Sequence, residues 1–153
     1  MLHGFIIRQY RNTDCAIISE LFYETIHCVN AKDYTAEQLS AWAKDRGRLL
    51  LRSTELLRQN TLIAETDGKI VGFGSMTAEG CLDLLFTHKD HQRQGIATAL
   101  CKELEQGFPT VKTYASITAK PFFENRGYVV IKSQEVERFG EKLKNFEMRK
   151  DNL

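Results

Sequence analysis

Core-facing positions along this chain repeat with a helical period first and a strand period later. From Asn12 or Thr13, either of which can cap a helix, through Val29, positions Ile17, Ile18, Leu21, Phe22, Thr25 and Ile26 recur three and four apart. That spacing predicts an amphipathic helix with those residues facing the core, broken at Asn30. Thr35-x-x-Gln38 is a capping-box pattern opening a second helix with Leu39 and Trp42, and Leu49, Leu50, Leu56 and Leu57 suggest a further helical segment ending near Gln59. An opening strand is expected over Phe5 to Tyr10. At Thr61 the texture changes. Leu62 to Ala64, then Ile70, Val71 and Phe73, flank an Asp67-Gly68 hairpin turn, and after Glu79-Gly80 a strand begins at Cys81, so three consecutive antiparallel strands are implied.

The stretch from Cys81 to Leu104 organises the rest. An apolar run, Leu82, Leu84, Leu85 and Phe86, is followed by the polar turn HKDHQRQ, then by Gly95 and a helix with Ile96, Leu100 and Leu104 on one face. Strand, glycine-containing turn and helix direct unpaired backbone N–H groups and the positive end of a helix dipole at one spot. Such a spot binds anions, phosphate or pyrophosphate above all. Val111 to Ile117 reads as the next strand and Thr118 to Arg126 as a short helix, with Gly127 as its left-handed end. Tyr128 to Ile131 and a segment around Phe146 and Met148 read as closing strands. The order β-α-α-β-β-β-α-β-α-β-β gives an α/β fold with a mixed sheet, and residues 1–153 are expected to form a single domain.

Composition narrows the partners. With 153 residues, 42% apolar and 27% charged, the chain is globular rather than disordered. Its 21 Lys and Arg against 20 Asp and Glu give a net charge of +1, no general electrostatic reason to bind nucleic acid or an anionic membrane. No apolar run approaches a membrane span, and the start, MLHGFIIRQYRN, lacks the features of a signal peptide. Cys15, Cys28, Cys81 and Cys101 show no C-x-x-C pair or Cys/His spacing suited to a metal; no metal site is expected, and a reduced, cytoplasmic compartment is.

Element order and glycine turn together resemble the GNAT superfamily of N-acetyltransferases. Its acyl-CoA signature, a strand followed by [Q/R]-x-x-G-x-[G/A], matches Gln92, Gly95 and Ala97, and a second landmark is kept in register as Ser116, Ala119, Phe123, Gly127 and Tyr128. The segments SAWA, IVGF, ASITAKPFFENRGY and NFEMR resemble the YafP-like branch. The resemblance implies a mixed six- to seven-stranded sheet flanked by helices, with strands 4 and 5 splayed apart around the thioester of acetyl-CoA. Backbone N–H groups of Arg93, Gln94, Gly95, Ile96, Ala97 and Thr98, behind Gln92, would hold the pyrophosphate. Leu85, Phe86 and Thr87 would pair with the pantetheine arm, and Ser116 and Phe123 would border it. Lys89 and Arg93 either add charge against phosphate or form a solvated loop.

Acetyl transfer to an amine requires a proton to leave an ammonium of pKa roughly 10 and one to reach a thiolate of pKa about 8.5. The family's usual acid is a tyrosine where this chain has Phe123, and its usual asparagine is Ser116. The thiolate's proton would come from Ser116, Tyr114, Tyr128, a water or solvent. Asp83, a carboxylate inside an apolar strand, is the candidate base, or else it pairs with a nearby cation or a turn N–H. Glu24, His27, Asn30, Tyr34 and Trp42 are candidate acceptor contacts, with Asp33 beside them. The implied activity is an acetyl-CoA-dependent N-acetyltransferase acting on a small-molecule or peptide amine, and a homodimer is left open. A non-catalytic CoA-binding sensor or partner-binding module is the alternative, and a nucleotide-binding cradle the third reading.

Overall fold

A computed structural model describes residues 4–152. Seven strands form one mixed sheet, β1 (Ile6–Gln9), β2 (Asn60–Thr66), β3 (Lys69–Met76), β4 (Cys81–Thr87), β5 (Thr110–Ser116), β6 (Val129–Arg138) and β7 (Glu141–Asp151). Their spatial order is β1-β2-β3-β4-β5-β7-β6. All neighbours pair antiparallel except β4 and β5, which run parallel. Five helices accompany them, α1 (Cys15–Cys28), α2 (Ala36–Trp42), α3 (Ser53–Arg58), α4 (Ile96–Glu105) and α5 (Lys120–Asn125).

The sheet has a core on each face because strand β3 is buried from Ile70 to Met76. Along β3, Ile70 and Phe73 join a cluster with Ile18, Leu21, Ile26 and Leu49, whereas Val71 and Met76 join one with Ile96, Leu100 and Met148. Helix α4 lies close on β3 because two glycines admit it. A Cβ at Gly72 would stand 2.7 Å from Ile96 Cγ2, and one at Gly74 would stand 2.8 Å from Leu104 Cδ1. The far end of α4 is fixed by a buried polar cluster. Glu105 accepts hydrogen bonds from Arg126 (2.6 Å), Tyr128 (2.6 Å) and the Cys101 thiol (3.2 Å), with Lys150 at 3.6 Å. Burial pushes the Cys101 thiol up to about 12, so it stays protonated.

Several expectations are refined. The Thr35/Gln38 capping box forms in both directions, and Asp67 and Gly68 both take positive φ, as a type I′ hairpin requires. Ile17, expected in the core, is 54% exposed, because the buried stripe of α1 runs through Ile18, Leu21, Phe22, Thr25 and Ile26, one position round the helix. The leucine-rich segment is a 3₁₀ turn, Arg48–Arg52, running into α3, and it leaves Leu50 and Leu57 exposed. The closing strands are longer than expected: β6 and β7 form a hairpin through Phe139 (φ 48) and Gly140 (φ 79).

Candidate active site

β4 and β5 pair only at Cys81↔Lys112 and Leu82↔Thr113. The Thr113 hydroxyl donates to the Leu82 carbonyl (2.8 Å) at that last pair, and beyond it the strands part. The gap opens into a cleft of about 1100 Å³ between the sheet, the α1–α3 layer and the turn before α4. On its far side, Tyr34 ties the helical layer across. Its hydroxyl donates to the Lys144 carbonyl (2.7 Å) and accepts from Ile117 N–H (2.9 Å), while the Thr118 hydroxyl donates to Asp33 (2.7 Å).

At one end the cleft meets the turn after β4. Arg93 (φ 62) and Gly95 (φ 82) are both left-handed, which turns the chain sharply into α4. Ala99 N–H is bonded to the Gly95 carbonyl (3.0 Å), so the N–H groups of Ile96, Ala97 and Thr98 precede the first full turn and have no intrahelical acceptor. A Cβ at Gly95 would meet no heavy atom within 4 Å, so the space before these donors is open to a ligand. Gln92 pins the turn from behind: its amide donates to the carbonyls of Thr87 (2.8 Å) and His88 (3.2 Å). Thr87 O also accepts from the Thr25 hydroxyl (2.9 Å), which uses up its acceptor capacity. Of the three residues expected to pair with an extended arm, Leu85 is therefore the one left open, because His88 N–H bonds the Val71 carbonyl and the alternating β3–β4 ladder then commits Phe86 to Phe73. Leu85, Phe86, Ile96, Ala97 and Thr98 line the cleft, as does Arg93. Gln94 does not line it, its side chain meeting the lining residue His91 (3.3 Å), and Lys89 stands 3.5 Å from Asp90 rather than in the cleft. Burial and the neighbouring Lys69 hold the His88 imidazole below its ordinary range.

The candidate chemical groups divide sharply. Asp83 faces the cleft; its Oδ2 accepts from Arg52 and from Gln59 (3.1 Å), while Oδ1 has no hydrogen-bond partner among the described residues. Behind it Gln59 accepts from Ser75, Ser75 meets the Thr61 hydroxyl (3.0 Å), and Thr61 donates to Leu56 O (2.7 Å). This chain fixes the Asp83 carboxylate from the core side. The ionic pairing with Arg52 was the structural alternative for Asp83, and Arg52 itself, which also meets Glu55 (2.9 Å), carried no signal in the sequence. Ser116 accepts from Ala119 N–H (3.0 Å) and keeps its own O–H uncommitted, on the cleft wall. Tyr114 lines the cleft at 45% exposure. Phe123 is 4% exposed and packs edge-on against Tyr128, ring centres 5.0 Å apart.

Three expected residues stand outside. Tyr128 donates its hydroxyl to buried Glu105, and burial raises its phenol well above the ordinary range, so it has no proton to offer in the cleft. His27 bonds the Ala43 carbonyl through Nε2 (2.8 Å), and Glu24 meets Arg46 (3.5 Å) beside a different cavity. The helix period explains both, since Phe22 and Thr25 are the α1 positions that reach the cleft, with Val29 just past its end. Asn30, Tyr34 and Trp42 do line it, though Tyr34 has spent its hydroxyl on the backbone. Among the described residues no group of three or more His, Cys, Asp and Glu side chains is placed to hold a metal, and no helix is long and apolar enough to cross a membrane.

Comparison with known proteins gives one consistent result. Residues 30–151 match the family model described as an acetyltransferase (GNAT) domain. The chain is 35% identical over 97% of its length to the uncharacterized N-acetyltransferase YafP of Escherichia coli K12, covering 97% of that protein. It also superimposes on the crystal structure of the GCN5-related N-acetyltransferase "Aminotransferase, Class-II" from Rhodopseudomonas palustris, with a TM-score of 0.88, 32% identity, and coverage of 99% of this chain and 98% of that one. The PaiA N-acetyltransferase of Thermoplasma acidophilum, solved in complex with coenzyme A, shares the fold at 20% identity and a TM-score of 0.73, over 97% of this chain and 99% of that one.

Proposed function

Because the chain belongs to the GNAT acetyltransferase family, we propose that it moves the acetyl group of acetyl-CoA to the amine of a small molecule or peptide, by direct transfer in a ternary complex. The carrying observation is the parting of β4 and β5 after two residue pairs, with an open left-handed turn at one end of the gap. The free N–H groups before α4 and the Arg93 side chain suit the pyrophosphate of coenzyme A, and the unpaired edge of β4 at Leu85 suits its amide-bearing arm. The PaiA protein, whose structure contains coenzyme A, supports that choice of ligand.

In the transfer, the amine nitrogen bonds the thioester carbon as the C–S bond breaks with its electron pair on sulfur. One proton leaves nitrogen and one reaches the thiolate, giving amide and free CoA. Asp83 Oδ1 is the carboxylate oxygen open to the acceptor's ammonium and is assigned the proton-accepting role. A β4 backbone N–H faces the charge that develops on the thioester oxygen. Ser116 is assigned the donor role toward sulfur, since its O–H alone among the cleft candidates is held in place yet uncommitted. Four free cysteines fit a reduced, cytoplasmic setting.

Phe123 supports a second reading, a CoA-binding sensor without catalysis, because it places an inert ring beside the proposed thioester site. The shared ligand step is tested first. Gly95→Glu fills the open space with a negative side chain in a strained backbone position, and CoA titration calorimetry should show binding lost in a protein with an unchanged circular dichroism spectrum. Unaltered CoA affinity in that folded variant would remove both readings.

A further inference from the structure

Among the described residues Asp83 is the one acidic side chain lining the cleft, and its Oδ2 is already held by Arg52. Against it stand Lys32, Arg48, Arg93, Arg138 and Lys144, and none of these five has a carboxylate within ion-pair distance among the described residues. Glu141 faces Arg138 across the β6–β7 hairpin and Glu135 faces Lys144, yet neither carboxylate closes onto its neighbour.

Two of these cations flank the β6–β7 turn, and Arg138 there donates one guanidinium N–H to the Glu137 carbonyl (3.0 Å) and keeps its other donors. The Arg48 guanidinium lies over the Phe139 ring, 4.9 Å from its centre, and Phe139 is the residue after Arg138 in the two-residue turn. Stacking occupies the face of a guanidinium and leaves its in-plane N–H donors free. The in-plane donors of Arg48 and the remaining donors of Arg138 together suit a planar, bidentate anion such as a carboxylate. The neighbouring wall is apolar, with Trp42, Leu49, Leu51, Val136 and Leu143. Deeper in, beside Ser116, its cross-strand partner Asn145 has a buried Oδ1 with no hydrogen-bond partner. Asn30, 5% exposed, also lines the cleft, and its side-chain amide has no hydrogen-bond partner among the described residues. A buried acceptor left unpaired is costly unless a ligand N–H supplies the bond.

We infer that the acceptor is a zwitterion of the apolar amino-acid class: its amine donates to Asn145 beside the thioester, its apolar body lies on the Trp42–Leu143 wall, and its carboxylate is taken by Arg48 and Arg138. This rests on the proposed transfer reading. Polyamines and lysine-rich peptides, by contrast, would bring positive charge to a cleft already in cationic excess.

The experiment compares acceptors that differ at one group. Initial rates with acetyl-CoA are measured for leucine and phenylalanine, for their carboxamides, for the decarboxylated amines, and for spermidine, each expressed per free amine. The carboxylates should lead in kcat/KM by about tenfold or more, the scale of one charge-assisted hydrogen bond. In the double variant Arg48→Gln, Arg138→Gln that ratio should collapse through KM, while calorimetric CoA affinity reports the fold. A wild-type preference for carboxamides or spermidine, or a carboxylate preference intact in the double variant, would overturn the inference. If no acceptor is turned over, the CoA-loaded protein is titrated with 3-phenylpropionate and 3-phenylpropylamine by NMR. Carboxylate binding that depends on the two arginines then upholds anion recognition while the transfer reading fails; amine-preferring binding, or none, overturns it.

Discussion

Ser116 accepts Ala119 N–H and so does two things at once, closing the turn before α5 and presenting its proton to the cleft. Ser116→Ala should therefore lower stability by about 1 kcal/mol, the usual worth of one hydrogen bond, and also depress kcat by tenfold or more with little change in acetyl-CoA KM. Ser116→Thr keeps both functions and should restore both. A loss of stability without a loss of kcat would confine Ser116 to closing the turn. The landmark residues were legible in the sequence because each answers a local demand: Gly95 supplies a left-handed turn and Phe123 marks a register position. Arg48 and Arg52 were not, because their meeting with Phe139 and Asp83 is decided by tertiary packing between segments far apart in the chain. Tyr128 misled for the complementary reason. A tyrosine at a family position says nothing about Glu105 waiting behind it.

The elements were legible wherever hydrophobic period was strong. α1, the β2–β3 hairpin and the β4–turn–α4 unit follow their patterns closely. The β6–β7 hairpin did not announce its length, since β6 is an edge strand exposed along most of its run and carries no alternation to read. The two glycines of β3 were a usable signal, because glycine inside a buried apolar strand marks a close approach. Here the approach is by α4, at whose N-terminus the anion site is proposed. Gly72→Ala would set a Cβ 2.7 Å from the branched methyl of Ile96 and 3.2 Å from the Phe86 carbonyl, neither able to retreat freely. It should cost roughly 1–3 kcal/mol in urea denaturation and weaken CoA binding as α4 is lifted. A neutral effect on both would mean that α4 can shift without consequence for the site.

For the molecule as a whole, stability should depend on pH through its buried carboxylates. Burial pushes the Glu105 carboxyl up, but the hydrogen bonds from Tyr128 and Cys101 and the charges of Arg126 and Lys150 prevail and hold it below its ordinary value. The hydrogen bond from Arg8 lowers Asp14 in the same direction, against the opposing effect of burial. A folded pKa below the unfolded one means that the unfolded chain binds more protons between the two values, so stability rises with pH there. The contribution is complete above the ordinary carboxylate range and is lost as pH falls through the folded values. Urea midpoints measured below about pH 5 should show this acid limb. Glu105→Gln should flatten it and cost roughly 3–5 kcal/mol at neutral pH by stranding Arg126. An acid limb unchanged in that variant would place the titrating groups elsewhere.

The central claim is that the splayed cleft transfers an acetyl group from bound acetyl-CoA to an amine without a covalent enzyme intermediate. Its most direct test is the initial rate of CoA release, measured over a grid of acetyl-CoA and amine concentrations, with mass spectrometry of the acceptor. Direct transfer predicts amine-dependent release, one acetyl added per CoA formed, and double-reciprocal lines that intersect. Tight CoA binding with no amine-dependent release across the acceptor panel, or parallel lines with an acetylated protein, would contradict it.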